Sequence, residues 1–531
     1  MKTRITFALA VVVAATLLAA SSANAQTVQF IGIGSSAAYN SFALAAVKSL
    51  GATNVWTAKG KATDGANFAQ VQDQRSSSIP PQAGSIWIAW DSTVSNIWVY
   101  LNVDSTIGVQ AMLANPAGLL QIDSSAETTA GQNLIPYLGI SDASSVPASV
   151  YNAINNKPFN AALSALRPED ALATTTRALD ALNTANYDGL GYTGTGTIGV
   201  PIESAFSTTS NTPVKFALSG KDPISGLTVA AWVATNIGAV PALIVVNNLD
   251  TAAGGLGSLN SENTAVFTNI NTQDLANVFQ GIDTRTRDLL PASGLPPVGL
   301  HNIQRDPLTG IFNTVEFDVV RNSANNKASQ ESGVNPTSDN PLNISVTHAD
   351  GSIATRQRAI GTSEEVSELE AVEDSIGYAF FTFGDFAKAG TKVRYLTVNG
   401  VDPLFATYAG GTFPLCSSSG CPGSVTFPHI ADGSYPLWAL LEAVTAKNVP
   451  AGVTAIINAA ATEVANVPEW VPVAQLQVFR DHYTSSGKAG ANGYLTGKVE
   501  SGGSAGGAII TIQSDLDFIT DFGKEILNEK Q

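Results

Sequence analysis

The segment 305–314, with the sequence RDPLTGIFNT, carries a cation at the end of a predicted strand and a hydroxyl group just before a predicted helix. The Arg305 guanidinium, the Thr309 hydroxyl and free backbone N–H groups near Gly310 can together hold an oxyanion. In the alternative interpretation, Arg305 pairs with Asp306 and Thr309 only caps the helix. The residue types alone leave both interpretations open, an anion-binding turn and a purely structural one.

A second polar turn, residues 32–37 with the sequence GIGSSA, lies between a predicted strand and a predicted helix. It fits the Gly-x-Gly-x-x-Ala pattern, which leaves three interpretations: a dinucleotide site, an anion-binding turn using Ser35 and Ser36, or a structural turn and cap. Lys59 and Lys61 follow the next strand, where a ribose-binding acid is expected. We therefore assign no cofactor.

Two further glycine-rich segments formally match sequence motifs of functional sites. Residues 194–199 (GTGTIG) precede a strand-like run instead of a helix, which indicates a loop. Residues 502–506 (GGSAG) fit the Gly-x-Ser-x-Gly pattern around Ser504, but a strand-like run follows here too. An exported phosphatase or esterase using Ser504 is thus the minor alternative, and we assign no catalytic residue.

Cys416 and Cys421 are the chain's only cysteines, and turn-forming residues separate them. In an oxidising compartment such a pair predicts a local disulfide. The four histidines are scattered without metal-ligand spacing, so we assign no metal site.

The first 25 residues have the pattern of a signal peptide: Lys2 and Arg4, an apolar run, and Ala23-Asn24-Ala25 as the cleavage site. We expect an exported protein, periplasmic or extracellular. Removing Lys2 and Arg4 from the 27 basic residues leaves 25 against 43 acidic ones, a charge of −18. This balance argues against nucleic acid as a partner, and no later apolar stretch predicts a membrane span.

Strand-like and helix-like segments alternate along the chain, which predicts an α/β fold, and 531 residues favour two lobes over one. The predicted strands are 28–33, 86–90, 97–103, 240–247 (of the parallel-sheet type), 298–303 and 376–383. The predicted helices are 158–182, 275–280, 313–320, 363–373, 437–446 and 472–482.

The 305–314 turn resembles the Arg-x-x-x-Ser-Gly-Thr turn of the periplasmic phosphate-binding proteins, the substrate-binding subunits of phosphate ABC transporters. Residues 31–36 (IGIGSS) are similar to the first phosphate loop of that family. Residues 275–281 (LANVFQG), 375–378 (SIGY) and 435–437 (YPL) resemble three further family motifs, in the family's order.

The resemblance implies a two-lobed venus-flytrap fold of the type II periplasmic binding proteins, with loop insertions such as 116–153. Lobe 1 would comprise 26–245 plus 386–531, and lobe 2 would comprise 246–385. It also implies an anion in the interlobe cleft, held by Ser36, Arg305, Thr309 and Gly310. The implied partners are phosphate or a related oxyanion and an ABC permease, with the protein a monomer.

The sequence departs from the family pattern at several positions. Ile311 replaces a threonine, Pro307 stands near a usual aspartate, and Ala165 occupies the aligned position of the carboxylate that accepts the proton of phosphate, with Asp170 nearby. Loss of that acceptor would remove the advantage of phosphate over sulfate. The expected function is an exported, non-enzymatic solute-binding protein, and a surface structural protein on a degenerate scaffold is a further alternative.

Overall fold

The computed structural model describes residues 26–60, 68–74, 81–166, 232–249, 255–256, 267–279, 281–290, 296, 298–305, 309–315, 318–319, 344–359, 361–389, 392–416, 421–446, 448–480 and 509–511. The expected signal peptide, the 194–199 loop, Ser504, Asp170 and the pair 306–307 lie outside the described residues.

The strands are β1 Thr27–Gly34, β2 Asn54–Ala58, β3 Ala69–Gln72, β4 Gln82–Ala83, β5 Ser85–Trp90, β6 Asn96–Asn102, β7 Leu119–Ile122, β8 Lys157–Pro158, β9 Ala161–Ser164, β10 Trp232–Asn247, β11 Asn269–Ile270, β12 His301–Arg305, β13 Ile344–Thr347, β14 Ile353–Ala359, β15 Ser375–Phe380, β16 Val393–Tyr395, β17 Thr397–Val398, β18 Trp438–Ala446, β19 Val471–Pro472, β20 Val478–Arg480 and β21 Ile509–Thr511.

The α-helices are α1 Tyr39–Leu44, α2 Ser105–Leu113, α3 Ala148–Ile154, α4 Thr272–Phe279, α5 Thr286–Leu289, α6 Gly310–Val315, α7 Thr362–Ala371, α8 Phe383–Ala389, α9 Pro428–Ala431 and α10 Ala451–Glu463. Short 3-10 helices cover Ser36–Ala38, Ser124–Glu127, Pro136–Leu138 and Val473–Gln475, and a π-helical turn covers Ala45–Ser49. The protein is thus a mixed α/β structure.

One large sheet organises the described part of the chain. Thirteen strands form it, in the order β13-β14-β12-β15-β10-β18-β9-β1-β6-β5-β2, with β16 and β19 also paired to β10. The pairs β1–β6, β1–β9, β12–β14 and β12–β15 are parallel. Four smaller strands, β3, β4, β7 and β8, form a separate sheet.

Strand β10 joins two groups of strands within the large sheet. Its first ten residues, 232–241, pair with β18, which leads to β9, β1 and β6. Residues 242–246 pair with β15, which leads to β12 and β14, and Asn247 pairs with β16. All eleven residues 237–247 are buried, because other strands and helices cover both faces. The predicted buried strand at 240–247 is present, but all its neighbours are antiparallel and not parallel as expected.

Two predicted helices are strands in the structure. The segment 437–446, predicted as a helix, forms β18, and eight of its nine residues are buried. Ala161–Ser164, inside a predicted helix, forms β9 and pairs with both β1 and β18. Both segments are short apolar runs, for which periodicity does not distinguish a buried strand from a buried helix. The segment 472–482 likewise contains β19, a 3-10 turn and β20.

The predicted disulfide between Cys416 and Cys421 is confirmed. Within the described ranges, no helix combines the length and apolar character needed to cross a membrane. The same ranges contain no group of three or more His, Cys, Asp or Glu side chains that could hold a metal ion.

Candidate functional site

Residues around one cavity follow the carboxyl ends of parallel strands. Ser36 follows β1, and Asp104 follows its parallel neighbour β6. Arg305 ends β12, Thr362 follows the parallel strand β14, and Thr382 follows β15. Because neighbouring parallel strands end at the same edge of a sheet, ligand sites form there. All five residues line one cavity of about 450 Å³.

Arg305 is the central cation of this cavity, although its side chain is only 2% exposed. Its Nη1 donates to Thr362 Oγ1 at 2.7 Å, and its Nη2 donates to Asp104 Oδ1 at 3.4 Å. Its Nε lies 3.9 Å from Glu365 Oε2. These contacts hold the planar guanidinium in one orientation with an edge at the cavity wall.

Glu365 lies behind the guanidinium and is completely buried. Its Oε1 accepts the backbone N–H of Tyr378 at 2.9 Å. Burial raises the pKa of Glu365 to about 8, although the charge of Arg305 and the Tyr378 hydrogen bond act in the opposite direction. At neutral pH the carboxyl is therefore mostly protonated, and the charge of Arg305 is not cancelled from this side.

Asp104 brings a carboxylate to the other side of the guanidinium, with 15% of its side chain exposed. Its backbone has φ 68° and ψ 165°, a region that is almost exclusive to glycine. Such a conformation costs about 1–3 kcal/mol and persists where the surroundings impose it. It orients the side chain toward Arg305, from which it is separated by 201 positions in sequence.

The turn after β1 uses its two serines differently. Ser35 is buried, and its Oγ accepts the N–H of Ala37, so it caps the 3-10 helix. Ser36 lines the cavity. Gly34 has φ +127°, and a Cβ there would lie 2.1 Å from the carbonyl oxygen of Leu163, so the turn requires glycine.

The Thr309–Gly310 turn lies next to the cavity but outside its described lining. The Thr309 Oγ1 accepts the N–H of Phe312 at 3.1 Å, which is a helix cap. A Cβ on Gly310 would lie 2.6 Å from the Ser105 Oγ and 2.9 Å from the Ala165 Cβ. Gly310 therefore allows α6 to pack closely against the start of α2.

Carboxylates outnumber cations around the cavity. Lys59 and Arg305 face four acidic residues: Asp104, Glu364, Glu368 and Asp385. Both carboxylate oxygens of Asp385 already accept hydrogen bonds: Ser363 Oγ donates to Oδ1, and Thr382 Oγ1 donates to Oδ2. The cavity thus offers one rigid guanidinium within an otherwise acidic and hydroxyl-rich wall.

A second buried carboxyl, Glu469, contacts the cavity lining through Asn40. Its Oε1 accepts from Asn40 Nδ2 at 3.0 Å, the Tyr137 hydroxyl at 2.8 Å and the Phe383 N–H at 2.9 Å. Burial raises its pKa to about 7. Asn40 belongs to α1 and Phe383 begins α8, so this one carboxyl connects segments beside both groups of strands.

Asp104, Thr362 and Glu365 were not among the site residues predicted from the sequence. A signal for Asp104 was present: it directly follows the predicted strand 97–103, as Ser36 follows the strand 28–33. Thr362 and Glu365 lie in the predicted acidic helix 363–373 or just before it, and nothing local distinguishes them from its other polar residues. The expected acceptor position, Ala165, carries no carboxylate, and its N–H donates to Ser105 Oγ.

No protein-family model matches the chain, and no curated protein shows significant similarity to it. Several solved structures have a distant likeness. A phosphate-binding protein from Stenotrophomonas maltophilia is 13% identical with a TM-score of 0.33, covering 71% of this chain and 84% of its own.

Two more solved structures show similar values. A possible phosphate-binding protein from Planctomyces limnophilus is 10% identical with a TM-score of 0.31, covering 85% of this chain and 94% of its own. PstS from Borrelia burgdorferi is 10% identical with a TM-score of 0.29, covering 82% and 92%.

Proposed function

We propose that the protein is a solute-binding protein that captures phosphate or a related oxyanion in the 450 Å³ cavity without performing chemistry on it. The observation that carries this proposal is the fixed guanidinium of Arg305, held between Thr362, Asp104 and Glu365. A guanidinium suits a tetrahedral oxyanion because its N–H groups can donate in parallel to two oxygens.

Neutral donors supplement the Arg305 guanidinium. Helix α7 begins at Thr362, and its N-cap residue Gly361 supplies no side-chain acceptor to the first-turn N–H groups. These N–H groups and the positive end of the helix dipole favour an anion. The hydroxyl groups of Ser36 and Ser363 also line the cavity and can donate to it.

The excess of carboxylates supports a protonated oxyanion over a fully ionised one. Asp104 accepts a hydrogen bond from an oxyanion that still carries a proton, as phosphate does near neutral pH. Sulfate has no proton to donate. Its negative charge and that of Asp104 therefore repel each other, and the Asp104 oxygen has no hydrogen-bond donor on the ligand. In this role, Asp104 supplies the hydrogen-bond acceptor that is missing at Ala165.

The arrangement supports two lobes that close on the ligand. One half of the cavity lining comes from residues 36–134 and the other from 305–385. We propose lobe 1 as 26–245 plus 386–531 and lobe 2 as 246–385, with β10 passing from one to the other. We further propose export to the periplasm or cell exterior, action as a monomer, and delivery to an ABC permease.

A ligand screen tests the proposal. Phosphate and arsenate should raise the melting temperature of the purified protein more than sulfate does, and chromogenic phosphate and carboxylate esters should remain uncleaved. Absence of any shift with phosphate, arsenate, sulfate and organic phosphates would contradict the binding role. Ester turnover that Ser504→Ala abolishes would instead establish the hydrolase alternative.

A further inference from the structure

Glu365 combines three properties that bear on the charge of Arg305. It is a carboxyl without solvent exposure, it lies 3.9 Å from the only guanidinium among the described cavity residues, and its Oε1 is fixed by the Tyr378 N–H. Its other oxygen, Oε2, is buried without a hydrogen-bond partner. A hydrogen bond of Oε2 with Arg305 would require a shorter distance than 3.9 Å.

Resting on the function proposed above, we propose that Glu365 is a positioning residue that sets the charge available at Arg305. The cavity holds its anion while the Glu365 carboxyl carries a proton and weakens its hold when that proton leaves to solvent.

Three charged groups act on the ionisation of Glu365. Arg305 on β12 favours the ionised form, whereas Glu364 on the same helix and Asp385 on α8 disfavour it. Tyr378 on β15 contributes only its backbone N–H. Asp104 already pairs with the far side of the guanidinium. A second ionised carboxylate would therefore place two negative charges on one cation and leave little attraction for a third.

The direction of the pH effect follows from linkage. A bound anion near Arg305 makes ionisation of Glu365 harder, so the complex retains the proton more firmly than the free protein does. Above the free-protein pKa of about 8, binding must therefore take up a proton. The affinity falls as the pH rises, with a limiting slope of about tenfold per pH unit.

The experiment measures the Kd of inorganic phosphate by calorimetry one unit below and one unit above this pKa. The affinity of the wild type for phosphate should fall by up to about tenfold from the lower to the higher pH. Glu365→Gln keeps the side-chain size and an acceptor for the Tyr378 N–H, but it does not titrate. It should therefore bind phosphate at the lower pH, and its affinity should change by less than about twofold between the two pH values. The control Glu373→Gln, at an exposed acid beyond the helix, should behave as the wild type.

Two results would overturn the inference: an equal loss of affinity in Glu365→Gln and wild type, or no binding by folded Glu365→Gln at the lower pH. If Glu365→Gln fails to fold, Glu365→Met replaces it. If neither folds, calorimetry of the wild type in two buffers of different ionisation enthalpy decides, because zero proton uptake near pH 8 contradicts the inference. Failure of the wild type to bind phosphate at either pH would instead contradict the proposed function.

Discussion

Arg305 Nη2 lies 3.4 Å from Asp104 Oδ1, so the cavity brings together a strand end and a helix start that are 201 positions apart. The pair leaves the guanidinium fixed and gives the cavity a hydrogen-bond acceptor. A cation and an acceptor side by side match an oxyanion that has both negative oxygens and a proton.

Replacing Asp104 with asparagine should reduce the discrimination between phosphate and sulfate. The variant keeps the shape of the side chain but removes its charge and adds an N–H donor. We expect phosphate affinity to fall at least about tenfold, since a lost hydrogen bond to a charged group is worth about 1.5–3 kcal/mol, while sulfate affinity stays constant or rises. Competition calorimetry measures both. Equal losses for the two anions would contradict the acceptor role.

Thr362 should matter through its hydroxyl group. Thr362→Val removes the acceptor of Arg305 Nη1 at nearly constant volume, and the freed guanidinium loses its orientation. We expect phosphate affinity to fall by about tenfold in Thr362→Val, whereas Thr362→Ser, which retains the acceptor, should stay within about threefold of wild type. Similar affinities for the two variants would show that the hydroxyl does not hold Arg305.

The Glu469 carboxyl should make stability depend on pH. Its pKa is raised from 4.5 to about 7 in the folded protein, so the folded state binds more protons than the unfolded state between these values. The free energy of unfolding should therefore fall as the pH rises from about 4.5 to about 7, by an amount on the order of 3 kcal/mol.

Urea denaturation of wild type and Glu469→Gln across this range measures that contribution. Glutamine mimics the protonated carboxyl, so the difference between the two curves isolates Glu469 from the other carboxylates. A pH-independent difference would mean that Glu469 is ionised in the folded protein throughout the range.

Gly108 should not tolerate a side chain. A Cβ there would lie 2.5 Å from the Cα of Gly34, where α2 crosses the end of β1. Gly108→Ala should lower the free energy of unfolding by about 1–3 kcal/mol through overpacking. Gly423→Ala is the matched control, because its Cβ would meet nothing within 4 Å, and we expect it to be neutral or slightly stabilising. Equal effects of the two substitutions would contradict this packing.

Individual strands and helices were easier to predict from the sequence than the question of which of them lie side by side. Strands such as 86–90 and 97–103 were recognised because a polar turn separates two apolar runs, and the structure pairs them as β5 and β6. The segment 437–446 was assigned as a helix because its apolar residues also fit helical spacing. The tertiary structure explains why both of its faces are apolar: β18 is a central strand between β10 and β9, and eight of its nine residues are buried.

The candidate site was predictable only in part. Arg305 was recognisable because a cation ends an apolar run before a turn, and Ser36 because glycines precede it. Asp104, Thr362 and Glu365 required knowledge of which strands are neighbours, since their contacts with Arg305 span 201, 57 and 60 positions. Thr309 and Gly310 have the residue types of an anion site, which stays a prediction; in the structure Thr309 caps a helix and Gly310 allows a close helix contact.

The most direct test of the central claim is calorimetric titration of the purified protein with inorganic phosphate, comparing wild type, Arg305→Lys and Arg305→Ala. Circular dichroism should first establish that each variant is folded. The account predicts saturable binding by the wild type, weaker binding by Arg305→Lys because an ammonium cannot donate in parallel to two oxygens, and none by Arg305→Ala. Undiminished binding by folded Arg305→Ala would contradict it.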